Sequence, residues 1–336
     1  MRRIIHKGNV SLWLGLGVGI LYGVVARLLF TNNGFGEVFV LMSIGFIVLV
    51  PLTLGVLTVY FGAKQQRRGW AYWIFMPWVP CVILMATALL IGWEGSICIL
   101  MALPIFLVMS SFGGLIAGLS VRATRPEQNS YSLIIFFLAL PFVSASIEHQ
   151  FGLPESTRTV ETQITINASP GTVWENIERV KEIGPNEQRF SMFHLMGFPR
   201  PVEATLSYEG IGGVRHATFE GGVLFVETID KWEPEKELSF AIRADTKSIP
   251  PTTLDEHVTV GGPYFDMLEG TYRIERLSDK HVVLHLSSKH RLSTRFNFYA
   301  GRWTEYIMRD IQENILGVIK RRCEASYIKQ PKAATP

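Results

Sequence analysis

The chain has 336 residues, 48% of them hydrophobic and only 18% charged, with a formal net charge of +3. Charge is unevenly spread, because residues 1–150 hold 9 basic and 4 acidic side chains and the remainder 23 and 25, leaving +5 and −2. That division excludes a uniformly soluble protein and a nucleic-acid-binding domain, and three cysteines, Cys81, Cys98 and Cys323, exclude a disulfide-rich scaffold.

Apolar stretches at residues 10–30, 38–62, 70–92, 96–121 and 131–147 predict five membrane spans within a membrane domain of residues 1–147. Four approach or exceed the roughly 20 residues a helix needs to cross the hydrocarbon core, and the fifth is the shortest. The start, MRRIIHKGNV, is charged like a signal peptide, but the apolar run behind it is long and lacks a small-residue cleavage site, so it reads as a retained span.

Arg2, Arg3 and Lys7 precede the first span, Lys64, Arg67 and Arg68 lie between the second and third, and Arg122 and Arg125 between the fourth and fifth. The alternate connections carry Glu37 and Glu94. Positive-inside orientation then places the amino terminus in the cytoplasm and residues 148–336 on the non-cytoplasmic face of a bacterial-type plasma membrane. That placement reverses if the fifth stretch does not cross. Arg27, near the outer end of the first span, reads as a snorkelling side chain. With no Asp or Glu at depth, the spans do not resemble those of a proton-coupled transporter.

Gly15, Gly19 and Gly23, and Gly114 with Gly118, recur at four-residue spacing, which suits close helix packing within the chain, with a membrane partner or with a second copy. Gly15-Leu16-Gly17-Val18-Gly19 lacks the full dinucleotide fingerprint and does not follow a strand. Pro51, Pro77, Pro80, Pro104 and Pro141 predict kinks or freed carbonyls, and Trp13, Trp70, Trp73 and Trp93 read as interfacial anchors.

Residues 148–157 read as a linker. Beyond it, residues 159–167 alternate as a half-buried strand, and Ser169-Pro170 opens a helix ending near Ile183. Strands follow at 203–209, 214–220, 223–232, 238–242, 264–277 and 281–290, with a hairpin turn at Gly221-Gly222. Trp303, Ile307, Ile311, Ile315 and Ile319 mark the stripe of a closing helix over residues 302–323. Residues 326–336 read as a disordered tail.

The run Ile164-Thr165-Ile166-Asn167-Ala168-Ser169-Pro170 followed by Val173-Trp174 resembles the opening of the START-like superfamily. Gly210-x-Gly212-Gly213-Val214-Arg215, Phe219-x-Gly221-Gly222, Glu227-x-Ile229-x-x-Trp232 and Leu238-x-Phe240 follow, in order, the middle of its polyketide cyclase/dehydrase-like branch. The resemblance covers about residues 158–325. It covers none of the α-helical membrane region that hydropathy predicts, and implies for the rest an α+β helix-grip domain, whose antiparallel sheet wraps a long carboxy-terminal helix around a cavity for an apolar ligand.

Cavity candidates are Leu206, Tyr208, Arg215, Phe240, Ile242, Leu268, Tyr272, Leu284, Leu286, Ile307 and Ile311. Arg215 or Tyr272 could hold a carboxylate, carbonyl or head group, and Glu227 or His216 could move a proton. Strand parity forbids Arg215 and His216 from sharing a face. His281 and His285 fall on one face, opposite Leu284 and Leu286, and read as polar surface rather than a metal site. No cofactor, nucleophile or metal motif stands out, and Cys323 reads as inert. The expected activity is binding of a hydrophobic small molecule or lipid beside the bilayer. The alternatives are a cyclase- or hydrolase-type enzyme, and a sensor or assembly subunit of a membrane complex.

Overall fold

The computed structural model describes residues 2–31, 40–63, 68–123, 130–245 and 260–329. Glu37, Lys64, Arg67, Arg125 and residues 330–336 lie outside the described residues. The chain forms two compact units, Met1–Leu153 and Pro154–Pro336.

The first unit is helical: α1 (Arg2–Thr31), a π-helical turn (Gly45–Leu49) leading into α2 (Val50–Ala63), α3 (Trp70–Phe75), α4 (Trp78–Leu90), α5 (Ser96–Ala123) and α6 (Ser130–Glu148). Val10–Thr31, Gly45–Gly62, Trp70–Leu90 and Ser96–Ala123 are long and apolar enough to cross a membrane. The expected fifth span falls short of that length. It is a helix, but its apolar part, Ser132–Glu148, rises only about 26 Å against a hydrocarbon core of about 30 Å.

Helix α2 is buried along almost its whole length, while α1, α4, α5 and α6 each turn large apolar side chains outward, Leu and Val in every one of them. Such an outer surface is unlike that of a water-soluble bundle, whose exposed face is polar. The glycines are spent inside the chain: Gly15 meets Thr58 and Gly62, Gly23 meets Leu84, and Gly114 and Gly118 pack on Trp73. Trp73 is therefore a core residue rather than an anchor, whereas Trp13 and Trp70 are exposed.

Proline shapes this packing. Pro77 separates α3 from α4. Pro141 has no N–H for the carbonyl of Phe137 one turn earlier, and that carbonyl instead accepts from Thr53 Oγ1 at 2.9 Å.

One end of the bundle is closed by charge. Arg27 does not snorkel freely: it pairs with Glu94 at 2.7 Å and donates to the Trp93 carbonyl. Glu148, the last residue of α6, accepts from the backbone N–H groups of Ile44 and Gly45 at 2.8 and 2.9 Å, while Ser43 Oγ accepts from Phe46 N–H. Three donors at the start of the buried helix are thereby satisfied, two of them by a carboxylate from another helix. Glu148→Ala is expected to cost the bundle about 1–2 kcal/mol, as loss of a cap does, measured as a lower unfolding midpoint in detergent. An unchanged midpoint would mean that water replaces the carboxylate.

The second unit runs β1 (Glu155–Ile166), α7 (Pro170–Glu178), α8 (Met192–Leu195), β2 (Pro201–Leu206), β3 (Val214–Phe219), β4 (Val223–Glu233), β5 (Glu237–Asp245), β6 (Phe265–Ser278), β7 (His281–Ser293) and α9 (Asn297–Lys329). Its seven strands form one antiparallel sheet in the order β1-β7-β6-β5-β4-β3-β2, which with α9 is the helix-grip arrangement. Helix α7 starts as expected, with Ser169 Oγ accepting from Thr172 N–H. It ends early, because Val180 exchanges two backbone bonds with Ala204 and turns extended.

Trp174 meets Trp232 edge-on at 5.0 Å in a core shared by α7, the sheet and α9. Helix α9 continues through residues 326–329, where a disordered tail was expected, and it carries the basic run Lys320, Arg321 and Arg322 about two turns before its end. Lys320 donates to the Thr165 carbonyl, and Arg322 chelates Glu187 while donating to the carbonyls of Lys181 and Glu182. Lys320 thus fastens the end of β1 to the helix, and Arg322 the segment after α7. Arg322's hydrogen bonds hold the Glu187 carboxyl down to about 2.

Candidate functional site

The concave face of the sheet is built by strand parity. Arg215 on β3 lies directly opposite Glu227 on β4, and Glu227 opposite Ile242 on β5. All three side chains point toward α9. On the next row, Phe240 lies opposite Gly270, whose missing Cβ leaves room for the ring, and Tyr272 is two residues further along β6.

Arg215 and Glu227 are paired and almost fully buried, at 3% and 6% exposure. The guanidinium carbon stands 5.4 Å from the Phe240 ring centre and 5.9 Å from that of Tyr272. Burial opposes the charge on Arg215, but Glu227 and the Tyr272 hydroxyl outweigh it and raise its pKa. Burial also pushes the Glu227 carboxyl up, against the pull of Arg215, and the Tyr272 phenol up as well. The cluster is a cation held by one carboxylate and two aromatic faces in an apolar wall. Arg215 Nε has no hydrogen-bond partner, so one donor in that wall remains open.

Of the other expected residues, Leu284, Leu286, Phe240 and Ile307 are buried, and Leu206, Ile242 and Ile311 only half-buried. Three expectations fail. His216 is exposed on the convex face, as parity requires once Arg215 points inward. Tyr208 lies beyond the end of β2 in the connection to β3, with its ring in solvent. Leu268 sits in a β-bulge: Met267 pairs with His290 and Glu269 with Lys289, so Met267 takes the buried position. His285 lies on the convex face between Glu161 and Glu275, at 3.0 and 3.1 Å. No metal-holding group of His, Cys, Asp or Glu occurs among the described residues. Cys323 is fully buried, and burial pushes its thiol up to about 12.

Sequence reasoning missed two polar groups on the concave side. Gln312, at the middle of α9, donates to the Val160 carbonyl and Ser288 Oγ and accepts from Thr162 Oγ1. His290 is fully buried beside Thr304 Oγ1, with Arg158 as its cross-strand neighbour. Their signal was a polar residue on a face whose neighbours are apolar.

Burial, and then the Arg158 charge, lower the His290 pKa below its ordinary value. A buried histidine with a depressed pKa must be neutral in the fold. Its contribution is complete above about 6.5, the unfolded value, and is lost as pH falls from there through the folded value. Urea unfolding of the second unit is expected to show stability declining below that pH, and His290→Gln to flatten the decline. An identical pH profile in the variant would assign it elsewhere.

A separate cleft of about 550 Å³ opens at the β4–β5 turn among Pro170, Glu235, Lys236, Arg273 and Arg276. It contains none of the expected ligand residues.

No family model matches the chain, and no curated protein matches it in sequence. Solved structures similar to it include a START superfamily protein from Mycobacterium smegmatis (11% identity, TM-score 0.35, covering 50% of this chain and 98% of that one). An aromatase/cyclase from a Streptomyces species is similar at 15% identity and a TM-score of 0.31, covering 50% of this chain and 94% of that one. A conserved protein from Geobacillus kaustophilus matches at 11% identity and a TM-score of 0.33, covering 50% and 97%. The similar structures thus include START superfamily and polyketide aromatase/cyclase proteins, each matched over about half of this chain.

Proposed function

We propose that the chain is an integral membrane protein whose second unit binds a hydrophobic small molecule or lipid on the concave face of its sheet. The observation that carries this reading is the buried Arg215–Glu227–Tyr272 cluster, with an open Arg215 Nε donor, among half-buried Leu206, Ile242 and Ile311. Ligand sites are mostly apolar with a few orienting polar groups. A carbonyl or carboxylate on an otherwise apolar molecule would satisfy the open donor. Of the two candidate proton carriers, His216 faces away and Glu227 is held by Arg215, so the arrangement suits binding rather than proton transfer.

The membrane reading is supported by the four long apolar segments and their outward-facing apolar side chains. Positive-inside reasoning places the Arg68 end of the bundle in the cytoplasm. Helix α6 is shorter than the other spans, yet it ends beside Ile44 and Gly45, at the end of α2 remote from Arg68; on this reading it still carries the chain across, which supports a second unit on the non-cytoplasmic face. A reporter fused after Pro336 should be active on that face only.

For the ligand, the full chain is purified in detergent and its solvent extract analysed by mass spectrometry. A stoichiometric apolar compound, absent from Arg215→Met/Glu227→Leu, is expected. A folded, ligand-free protein that binds nothing from a lipid panel would refute the reading.

A further inference from the structure

The concave face leaves the outer surface of α9 unexplained. At 100° per residue, Phe298, Arg302, Tyr306 and Arg309 fall within an arc of about 80°, and all four are exposed, Phe298 by 77%. Arg302 and Arg309 face no carboxylate partner among the described residues. One turn beyond Tyr306, the segment around α8 adds Phe190, Met192 and Leu195, also exposed, Phe190 by 78%.

That segment is held firmly. Ser191 Oγ donates to Asp310, Arg189 pairs with Glu313, and the Arg189 N–H donates to Asn314 Oδ1. Beneath it, His194 Nδ1–H donates to the Phe198 carbonyl at 3.0 Å, leaving Nε2 to accept from Asn314 Nδ2. Buried Phe193 completes the pedestal. The three apolar side chains are therefore presented outward by a braced structure.

Exposed aromatic and aliphatic side chains interleaved with arginines have the composition of an interfacial membrane-binding surface. Their position agrees with that. Asn297 Nδ2, at the first residue of α9, donates to the Pro154 carbonyl at 2.7 Å, so the stripe begins where the second unit is joined to the helical unit.

We propose that this surface docks on the phospholipid interface of the membrane that the first unit spans, with Arg302 and Arg309 at anionic head groups and Phe190, Met192, Leu195, Phe298 and Tyr306 in the interfacial layer. The inference rests on the membrane reading above and not on any ligand of the concave face.

The test is spin-label accessibility on the full chain in phosphatidylcholine–phosphatidylglycerol nanodiscs, in a Cys98→Ser background. Single variants Leu195→Cys, Tyr306→Cys, Leu277→Cys and Ile135→Cys carry the label, and all four parent side chains are exposed. The ratio of oxygen to nickel-chelate accessibility is expected to be several-fold higher at 195 and 306 than at 277, the site near the β6–β7 turn. Arg302→Glu with Arg309→Glu should lower it at 306.

Nickel-favoured labels at 195 and 306, with 135 still oxygen-favoured, would overturn the docking and leave the membrane reading intact. A nickel-favoured label at 135 would overturn the membrane reading, and this inference with it. Labels at 195 and 306 shielded from both reagents would reveal a protein on this face and overturn the lipid assignment.

Discussion

Arg215→Met is expected to destabilise the second unit by about 3–5 kcal/mol, because it leaves the Glu227 carboxylate buried without its partner. Glu227→Leu should cost a similar amount by stranding the guanidinium between Phe240 and Tyr272. The double variant Arg215→Met/Glu227→Leu is expected to recover most of the loss, since an apolar pair of similar volume is often neutral in place of a buried ion pair. Pulse proteolysis of the full chain in a urea series would measure all three. A double variant about as unstable as either single would mean that the pair is a structural brace, and one as unstable as the sum of the singles would mean that the two side chains are not coupled. Recovery of stability with loss of ligand would mean that the charge is kept for binding.

Gly113→Val should be the most damaging single change in the helical unit. A Cβ at Gly113 would stand 1.9 Å from the Leu52 carbonyl oxygen, and one at Gly55 1.9 Å from the Ser110 carbonyl oxygen. Helices α2 and α5 thus touch backbone to backbone through a reciprocal pair of glycines. Neither obstacle is a side chain that could rotate away, so even Gly113→Ala should exceed the usual overpacking cost of about 1–3 kcal/mol. Gly17→Ala is the control, having nothing within 4 Å of its Cβ position. It should be neutral or slightly stabilising, because alanine is the better helix former. Thermal unfolding in detergent compares the variants, and equal midpoints for Gly113→Ala and Gly17→Ala would refute the contact.

Hydropathy made four apolar segments legible, and period-two alternation made the strands legible, because both depend on local composition. Register does not. A two-residue turn at Gly221-Gly222 would set Arg215 against Thr228, whereas the three-residue turn Glu220–Gly222 slides β4 by one and sets Glu227 there. The cluster follows from that one residue.

The closing helix shows a different limit. A stripe at every fourth residue drifts by about 40° per step on a 3.6-residue helix, so Trp303 and Ile319 cannot face the same surface. The buried line instead runs through Met308, Gln312, Leu316, Ile319 and Cys323, with a glutamine at its centre where an apolar pattern was sought. The Leu268 bulge was likewise invisible, since a bulge changes parity without changing composition.

Glu148 fixes more than a helix start. Because its carboxylate is fastened to Ile44 and Gly45 and β1 begins at Glu155, only residues 149–154 separate the end of α6 from the sheet, a reach of about 20 Å. Confinement on that scale corresponds to an effective concentration of order mM. A contact between the second unit and its surroundings with a Kd in the millimolar range, negligible for a free domain, would then be substantially occupied in every copy of the chain. Lengthening this six-residue segment should therefore weaken such a contact without altering either unit.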